Sequence, residues 1–473
     1  MNTAAHLAQT SSHERPVAVA FPFFAGLAGI VALLYFFREG TEGSLFYPLV
    51  AALGAGFLIL SFFSIQTGLI LMTFAMLFSP EIQVSTIGPR ALVIRAEDVL
   101  IPILAMAWLA RLAIHREFRP LVSSPLNKPI GLFLALSIGS TMWGISQGAA
   151  PVLPAIFYLL KTIEFLLIFF LVLNYVRTAR QVNIFLFFTL LTVTLIGIYT
   201  LFQVPETEVF SEKRISAPFE GVPQPASVGG YMAFLLLIVL SLFLCDSQPF
   251  RKVLYAIMGV IIFIPFLFTF NRTSYAALIV GAILVTLLVK KVWVMAVLSC
   301  FLLTAPLWAP QTVRARIAYT WEDAINPGRE MGVDVSFQER IHQYKKMWNS
   351  VRGSPFIGLG VASYDYLDSQ YARTFHEVGI IGLGLWLWVI LRLFRVSYWL
   401  FKTLPRGPLK GMSLGYAAGL AGLLVHSFGV ITFYVVRIME PFWFMSGLVV
   451  SLYLVKVSEK QQEEERQEEE FVA

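Results

Sequence analysis

The chain has 473 residues, of which 57% are hydrophobic and only 14% charged, and its mean hydropathy is +0.73. Soluble globular domains carry roughly 25% charged residues, so this composition excludes that class and predicts an all-α polytopic membrane protein, because a helix satisfies its own backbone hydrogen bonds in hydrocarbon. The formal charge of +6 forms no basic stripe interleaved with aromatics, which argues against nucleic acid as a partner, and Cys245 and Cys300 lack the spacing of a metal cluster or a disulfide framework.

The polar opening, Met1–Arg15, runs into an apolar stretch without a small-residue cleavage site and reads as a retained first span. A helix needs ~20 residues to cross hydrocarbon. About fourteen such spans are predicted, beginning near Val17, Leu45, Gln66, Glu97, Lys128, Val152, Val182, Ala226, Val253, Thr273, Val292, Val378, Ser413 and Ile438, the one at Gln66 being the shortest. Short connectors rich in Lys and Arg mark the cytoplasmic side. Those around Arg111, Arg116, Arg119 and Lys128, at Arg177 and Arg180, at Arg251 and Lys252, at Lys290 and Lys291, and over Arg392–Lys410 all fall on one face, which places both termini in the cytoplasm. The opposite face receives residues 38–44, 80–96, 147–151, 203–225, the Asn271-Arg272 turn, 310–377 and Arg437. The predicted organisation is a bundle of about eleven helices over 1–309 that includes the outer loop 203–225. A large, partly helical outer loop over 310–377, the remaining spans over 378–456 and an acidic tail over 457–473 follow. No 20–50-residue repeat and no symmetric pair of broken spans stands out, which disfavours an inverted-repeat transporter.

Chemistry is expected in the 310–377 excursion. Its eight basic residues, Arg314, Arg316, Arg329, Arg340, Lys345, Lys346, Arg352 and Arg373, balance its acids, so it is no simple basic anchor. Arg214, Arg272 and Arg340 lie on the predicted outer face, and a guanidinium fork pairs bidentately with phosphate oxygens. Each also reads as an interfacial anchor or a local ion pair, although the short turn at Arg272 holds it where an unpaired charge is expensive. Lys161 and Glu164, one helical turn apart inside a span, read either as an ion relay or as a structural pair, and His426 is similarly open. Glu97 and Asp98 suit either an outer cavity or the acidic preference of a helix start. Tyr344, Trp348, Tyr364, Tyr366 and Tyr371 suit sugar stacking as well as a membrane interface. Gly353, Gly358 and Gly360 lack the GK[ST] of a nucleotide loop.

Four segments in order resemble the O-antigen ligase and polymerase family of bacterial surface polysaccharide assembly. Arg214-Ile-Ser-Ala-Pro-Phe-Glu-Gly-Val-Pro-Gln-Pro-Ala-Ser-Val-Gly-Gly-Tyr is similar to the family's Arg-x-x-Gly-x-Phe, Pro-Asn and Ala-x-Tyr-Leu segment, and Asn271-Arg272-Thr-Ser-Tyr-Ala-Ala-Leu to its Ser-Arg-(Gly/Thr)-Ala motif. Arg340, Trp348 and Pro355-Phe-Ile-Gly-Leu-Gly-Val-Ala-Ser-Tyr resemble its Arg…Trp…Pro-x-x-Gly-x-Gly stretch. Asp368-Ser-Gln-Tyr-Ala-Arg-Thr-Phe-His-Glu-Val-Gly-Ile-Ile-Gly-Leu resembles its His-Asn-x-Tyr-Leu-x-x-Leu-x-Glu-x-Gly-Leu-x-Gly-Leu end motif.

The resemblance implies a multi-pass protein of the bacterial inner membrane with its active-site loop on the periplasmic side. Its donor and acceptor are undecaprenyl-diphosphate-linked oligosaccharides, with membrane lipids and a chain-length regulator as further partners. By the same resemblance Arg214, Arg272 and Arg340 bind the diphosphate, and no metal or other cofactor is implied. Asp368-Ser369 stands where ligases carry His-Asn, which favours a polymerase of O-antigen or exopolysaccharide over a ligase to lipid A-core or protein. Asp368 is the first candidate for general base, with His376 and Glu377 as alternatives, and it also reads as a loop ion pair with Arg373. Tyr364, Tyr371 and Arg373 are further candidates for substrate contact. A secondary transporter or lipid flippase is the reading from another functional class.

Overall fold

A computed structural model describes residues 56, 59–61, 63–79, 81–87, 90–114, 122–207, 214–218, 220, 223–291, 296, 300, 304, 307, 310–314, 334–364 and 367–472, without the side chains of 82–94, 111, 112, 114, 334–342 and 472. Two compact units divide the chain: Met1–Ile82 with Ile94–Arg119, and Gln83–Val93 with Pro120–Ala473. In the first, α1 (Ile65–Phe78) packs on α2 (Ala96–Ile114). Ser64 caps α1 by accepting from the Thr67 amide at 3.2 Å. Ser79 donates to the buried Glu97 carboxylate, and Arg95 pairs with Glu81 at 2.5 Å. With 14 residues α1 is too short to cross hydrocarbon unaided. The connector predicted over 80–96 contains a two-stranded sheet, β1 (Ile82–Ile87) with β2 (Arg90–Ile94), rich in the β-branched residues that suit strands.

Apart from the strands within Gln83–Val93 the second unit is helical among its described residues: α3 (Asn127–Ser146), α4 (Val152–Tyr175), α5 (Ala179–Gln203), α6 (Pro225–Cys245), α7 (Pro249–Leu267) and α8 (Arg272–Val289) precede α9 (Asp334–Val351). Then come α10 (Gln370–Thr403), α11 (Pro408–His426) and α12 (Val436–Val472). Among the described residues eight helices are long and apolar enough to cross a membrane: α3 to α8, α10 and α12. The protein is therefore membrane-embedded. The spans predicted near Val17, Leu45 and Val292 lie wholly or largely outside the described residues, and the other predicted spans begin close to where helices start, or, for α10, close to a break within the helix. Local chemistry explains several of those starts. Thr178 and Gln181 form a reciprocal capping box at α5, Asn271 caps α8, and Pro225, Pro249 and Pro408 occupy first turns, where a missing amide hydrogen costs nothing.

Burial ranks the spans. Within the most apolar stretch of each helix, 89% of residues are inside the protein for α6 and 78% for α12, against 28% for α7 and 33% for α3 and α8, so α6 and α12 are the most enclosed of these spans. α11 lies against α6 through Gly411, Gly415 and Gly419, spaced four apart. A Cβ at Gly415 would stand 2.4 Å from the Ile238 Cα, and one at Gly411 2.7 Å from the Leu242 Cα. Small residues at this period let two membrane helices approach at backbone distance, where dispersion replaces the hydrophobic effect as the packing force. Phe234, Tyr416 and Phe442 fill the adjoining core. Lys161 and Glu164 pair at 3.1 Å on α4. The acidic tail continues α12 as an exposed helix carrying the pairs Lys456–Glu459 and Lys460–Glu464.

Candidate functional site

The span expected to begin near Val378 starts at a break in α10: Gly379, whose φ of +67° favours glycine, separates a short helix that begins at Gln370 from the spanning helix. Around the break the helical bonds from Ile380 to His376 and from Ile381 to Glu377 are replaced. Ile380 N donates to Pro355 O at 2.9 Å and Ile381 N to Phe356 O at 3.3 Å, while Leu359 N and Gly360 N donate to His376 O and Glu377 O at 3.0 and 2.9 Å. Two broken bonds are thus exchanged for four to the Pro355-Phe-Ile-Gly-Leu-Gly loop, so the amides of Ile380 and Ile381 and the carbonyls of His376 and Glu377 all keep partners. The glycines make the approach possible. A Cβ at Gly358 would stand 2.4 Å from Glu377 O, and one at Gly379 2.2 Å from Phe356 O.

The short helical piece before the break turns its polar residues inward. Glu377 is 1% exposed. One carboxylate oxygen accepts from Arg373 Nε at 2.9 Å and Ala362 N at 3.1 Å, and the other accepts from the Tyr434 hydroxyl. Its backbone carbonyl also accepts from Ser140 Oγ of α3 at 2.6 Å. Arg373 is sandwiched against aromatic faces, its guanidinium 3.9 Å from the Tyr434 ring centre and 5.1 Å from that of Tyr158. Burial, and then the neighbouring Glu377 charge, push the Tyr434 hydroxyl well above its ordinary pKa, so Tyr434 keeps its proton and donates it to the carboxylate. His376, also 1% exposed, meets Ser350 Oγ of α9 with Nε2 at 2.9 Å and Ser363 Oγ with Nδ1 at 3.1 Å, and Tyr364 packs edge-on against its ring.

The connector between α11 and α12 gathers the remaining pieces. Ser427 O accepts from Gln370 N at 3.0 Å and Phe433 N donates to Gln370 Oε1 at 3.0 Å. His426, fully buried, contacts Thr432 Oγ1 at 2.8 Å and Ser274 Oγ at 3.2 Å. Asn271 Oδ1, which caps α8, accepts from Ser274 N at 2.9 Å. Arg437 pairs with Glu220 at 3.0 Å. Residues 426–437 therefore bond to the segment that follows Arg214, to the Asn271–Ser274 turn and to the start of α10. This hub lay almost unseen in the sequence. Its signal was a polar string, Ser427, Thr432, Tyr434 and Arg437, set between two apolar spans.

The expected site residues are distributed as follows. His376, Glu377, Arg373 and Tyr364 are brought together. Arg373, expected as an ion partner of Asp368 in one reading, pairs instead with Glu377, since helix formation puts residues four apart on one face. Asp368 is half-buried beside Leu367, which packs with Met347, Val351 and Ala372 to seat α9 on α10. The Tyr371 hydroxyl donates to Leu424 O at 2.7 Å and is occupied within the fold. Arg272 opens α8, Arg214 immediately precedes the buried Ile215, and both are half-buried. Arg340 stands on α9, with its side chain outside the described ones.

A cavity of about 60 Å³ lies between α3, α4, α10, α12 and the hub, walled by Phe133, Phe165, Trp386 and Trp443. Its polar wall groups are already bonded, Gln370 Nε2 to Thr374 Oγ1 at 3.0 Å and Thr162 Oγ1 to Tyr158 O at 3.0 Å, so the space is apolar in effect. No protein-family model matches the chain, and no curated protein matches it.

Proposed function

We propose that the protein is a membrane glycosyltransferase that polymerises undecaprenyl-diphosphate-linked oligosaccharide units of a surface polysaccharide. The observation that supports this most is the hub at residues 426–437. Three of the four segments that resemble the O-antigen ligase and polymerase family, far apart in sequence, bond to that one connector, and the fourth bonds to the break in α10. In this reading Arg214, Arg272 and Arg340 hold the donor's diphosphate and neutralise the charge that develops as it leaves. An acceptor hydroxyl oxygen attacks the anomeric carbon, the bond from that carbon to the diphosphate oxygen breaks, and undecaprenyl diphosphate departs. A single displacement of this kind inverts the anomeric centre. The hydroxyl proton passes to Asp368. His376 and Glu377 are the alternative bases, and both ring nitrogens of the first and both carboxylate oxygens of the second bond within the fold.

Purified protein given a lipid-linked oligosaccharide is expected to yield a ladder of longer products, whereas transfer of one intact glycan to a different acceptor marks a ligase. Arg272→Ala and Arg340→Ala should each abolish the ladder, and normal polysaccharide length and amount in either variant would rule out the diphosphate clamp. Loss of a general base costs on the order of 10²–10⁴-fold in rate. Asp368→Asn should show a kcat deficit of that order with KM little changed, and full activity would remove Asp368 from the role.

A further inference from the structure

We infer that Arg437 is a positioning residue that fixes the 214–220 segment, and through it the backbone of Arg214, for donor binding. This rests on the reading of Arg214 as a diphosphate ligand. Arg437 lies in the first turn of α12 with its side chain 2% exposed, and its partner Glu220 has a side chain that is 0% exposed. Besides the 3.0 Å pair with Glu220, Arg437 Nη2 donates to Pro218 O at 3.2 Å. Glu220 shapes its own turn first, accepting from the amides of Ala217 at 3.0 Å and Gln224 at 3.3 Å. A second tether runs from Ser216 N to Gln203 Oε1 at the end of α5, at 3.0 Å. Between these tethers Ile215 and Ala217 are buried.

The described part of 214–220 contains neither helix nor strand, so those side-chain bonds, with the burial of Ile215 and Ala217, stand in for a backbone ladder. A buried ion pair adds little net stability against an apolar replacement, yet breaking one partner leaves the other charge uncompensated in a dry site. The Arg437 guanidinium donates to Pro218 O while its charge faces Glu220, a planar geometry that the single ammonium of a lysine copies only in part. A pair built this way fixes where a segment sits.

The test has two arms on the full-length protein, one independent of catalysis. In a background with Cys245→Ser and Cys300→Ser, R214C is labelled with a membrane-impermeant maleimide, with and without R437Q. Separately, R437Q, R437K and the charge-free pair R437M/E220Q are assayed on the lipid-linked oligosaccharide. Positioning predicts faster labelling of R214C in R437Q, a KM increase of about tenfold with kcat near the parent value, and partial recovery in R437K. The charge-free pair keeps the protein folded should R437Q fail, and is expected to show the same KM increase. Unchanged labelling overturns the proposal. So does faster labelling with an unchanged KM, or a loss confined to the amount of folded protein. If R214A itself leaves KM unaltered, the diphosphate reading of Arg214 fails instead, and the labelling arm still decides whether Arg437 holds the segment.

Discussion

Glu377 accepts five hydrogen bonds through its side chain and backbone while lying beside a buried guanidinium, and they come from its own helix, from the Gly360–Ala362 loop, from α3 and from the hub. Losing its charge should therefore be felt as instability before it is felt as lost chemistry. Removing one member of a buried pair costs roughly 3–5 kcal/mol, so Glu377→Ala should lower the melting temperature in detergent sharply. R373M/E377Q should recover much of the loss, because neither charge is then stranded. A melting curve for Glu377→Ala that overlays the parent would refute this account. The pair was legible only in part. Arg373 and Glu377 stand four apart, but the polar text Gln370–Glu377 reads as loop, and spacing becomes contact only when that text is helical. What conceals the helix is its burial. Its polar residues face inward and satisfy one another, so the usual apolar stripe is missing.

Among the elements, α11 carries its packing partner's signature openly in its sequence. Gly411, Gly415 and Gly419 repeat every four residues within an apolar run, the pattern that lets membrane helices touch. The stripe has α6 as its partner. Overpacking a close contact costs roughly 1–3 kcal/mol even where side chains can yield, and here the facing atom is the Ile238 backbone. Gly415→Leu should thus reduce the yield of monodisperse protein and its melting temperature, whereas Gly384→Leu on α10, where an added Cβ meets nothing within 4 Å, should leave both near normal. Equal behaviour of the two variants would show that the α6–α11 approach is not what the stripe serves. Hydropathy located the spans because burial in lipid depends on composition. It was silent on β1 and β2, since a short hairpin in a connector leaves no apolar run of span length.

At the scale of the whole molecule, hydropathy and charge identified a membrane-embedded helical protein. They did not identify which connectors meet. A connector's partners are set by how the spans pack, and hydrophobic periodicity does not encode that, so the hub at 426–437 and the pair between Glu220 and Arg437 emerged only with the structure. The exchange of bonds at Gly379 bears on how such a chain comes to be made. Pro355–Gly360 leaves the ribosome before Ile380 and Ile381, and the amides of those two residues have their partners on that loop. Without it, the head of the following span would enter hydrocarbon carrying two unsatisfied donors, each costing several kcal/mol. Docking of the loop and seating of the span are then a single cooperative step. Hydrogen exchange reports on that coupling directly. The amides of Leu359 and Gly360, although in a loop, should exchange as slowly as those of Ile380 and Ile381, and loop amides that exchange far ahead of the span would show that the two form separately.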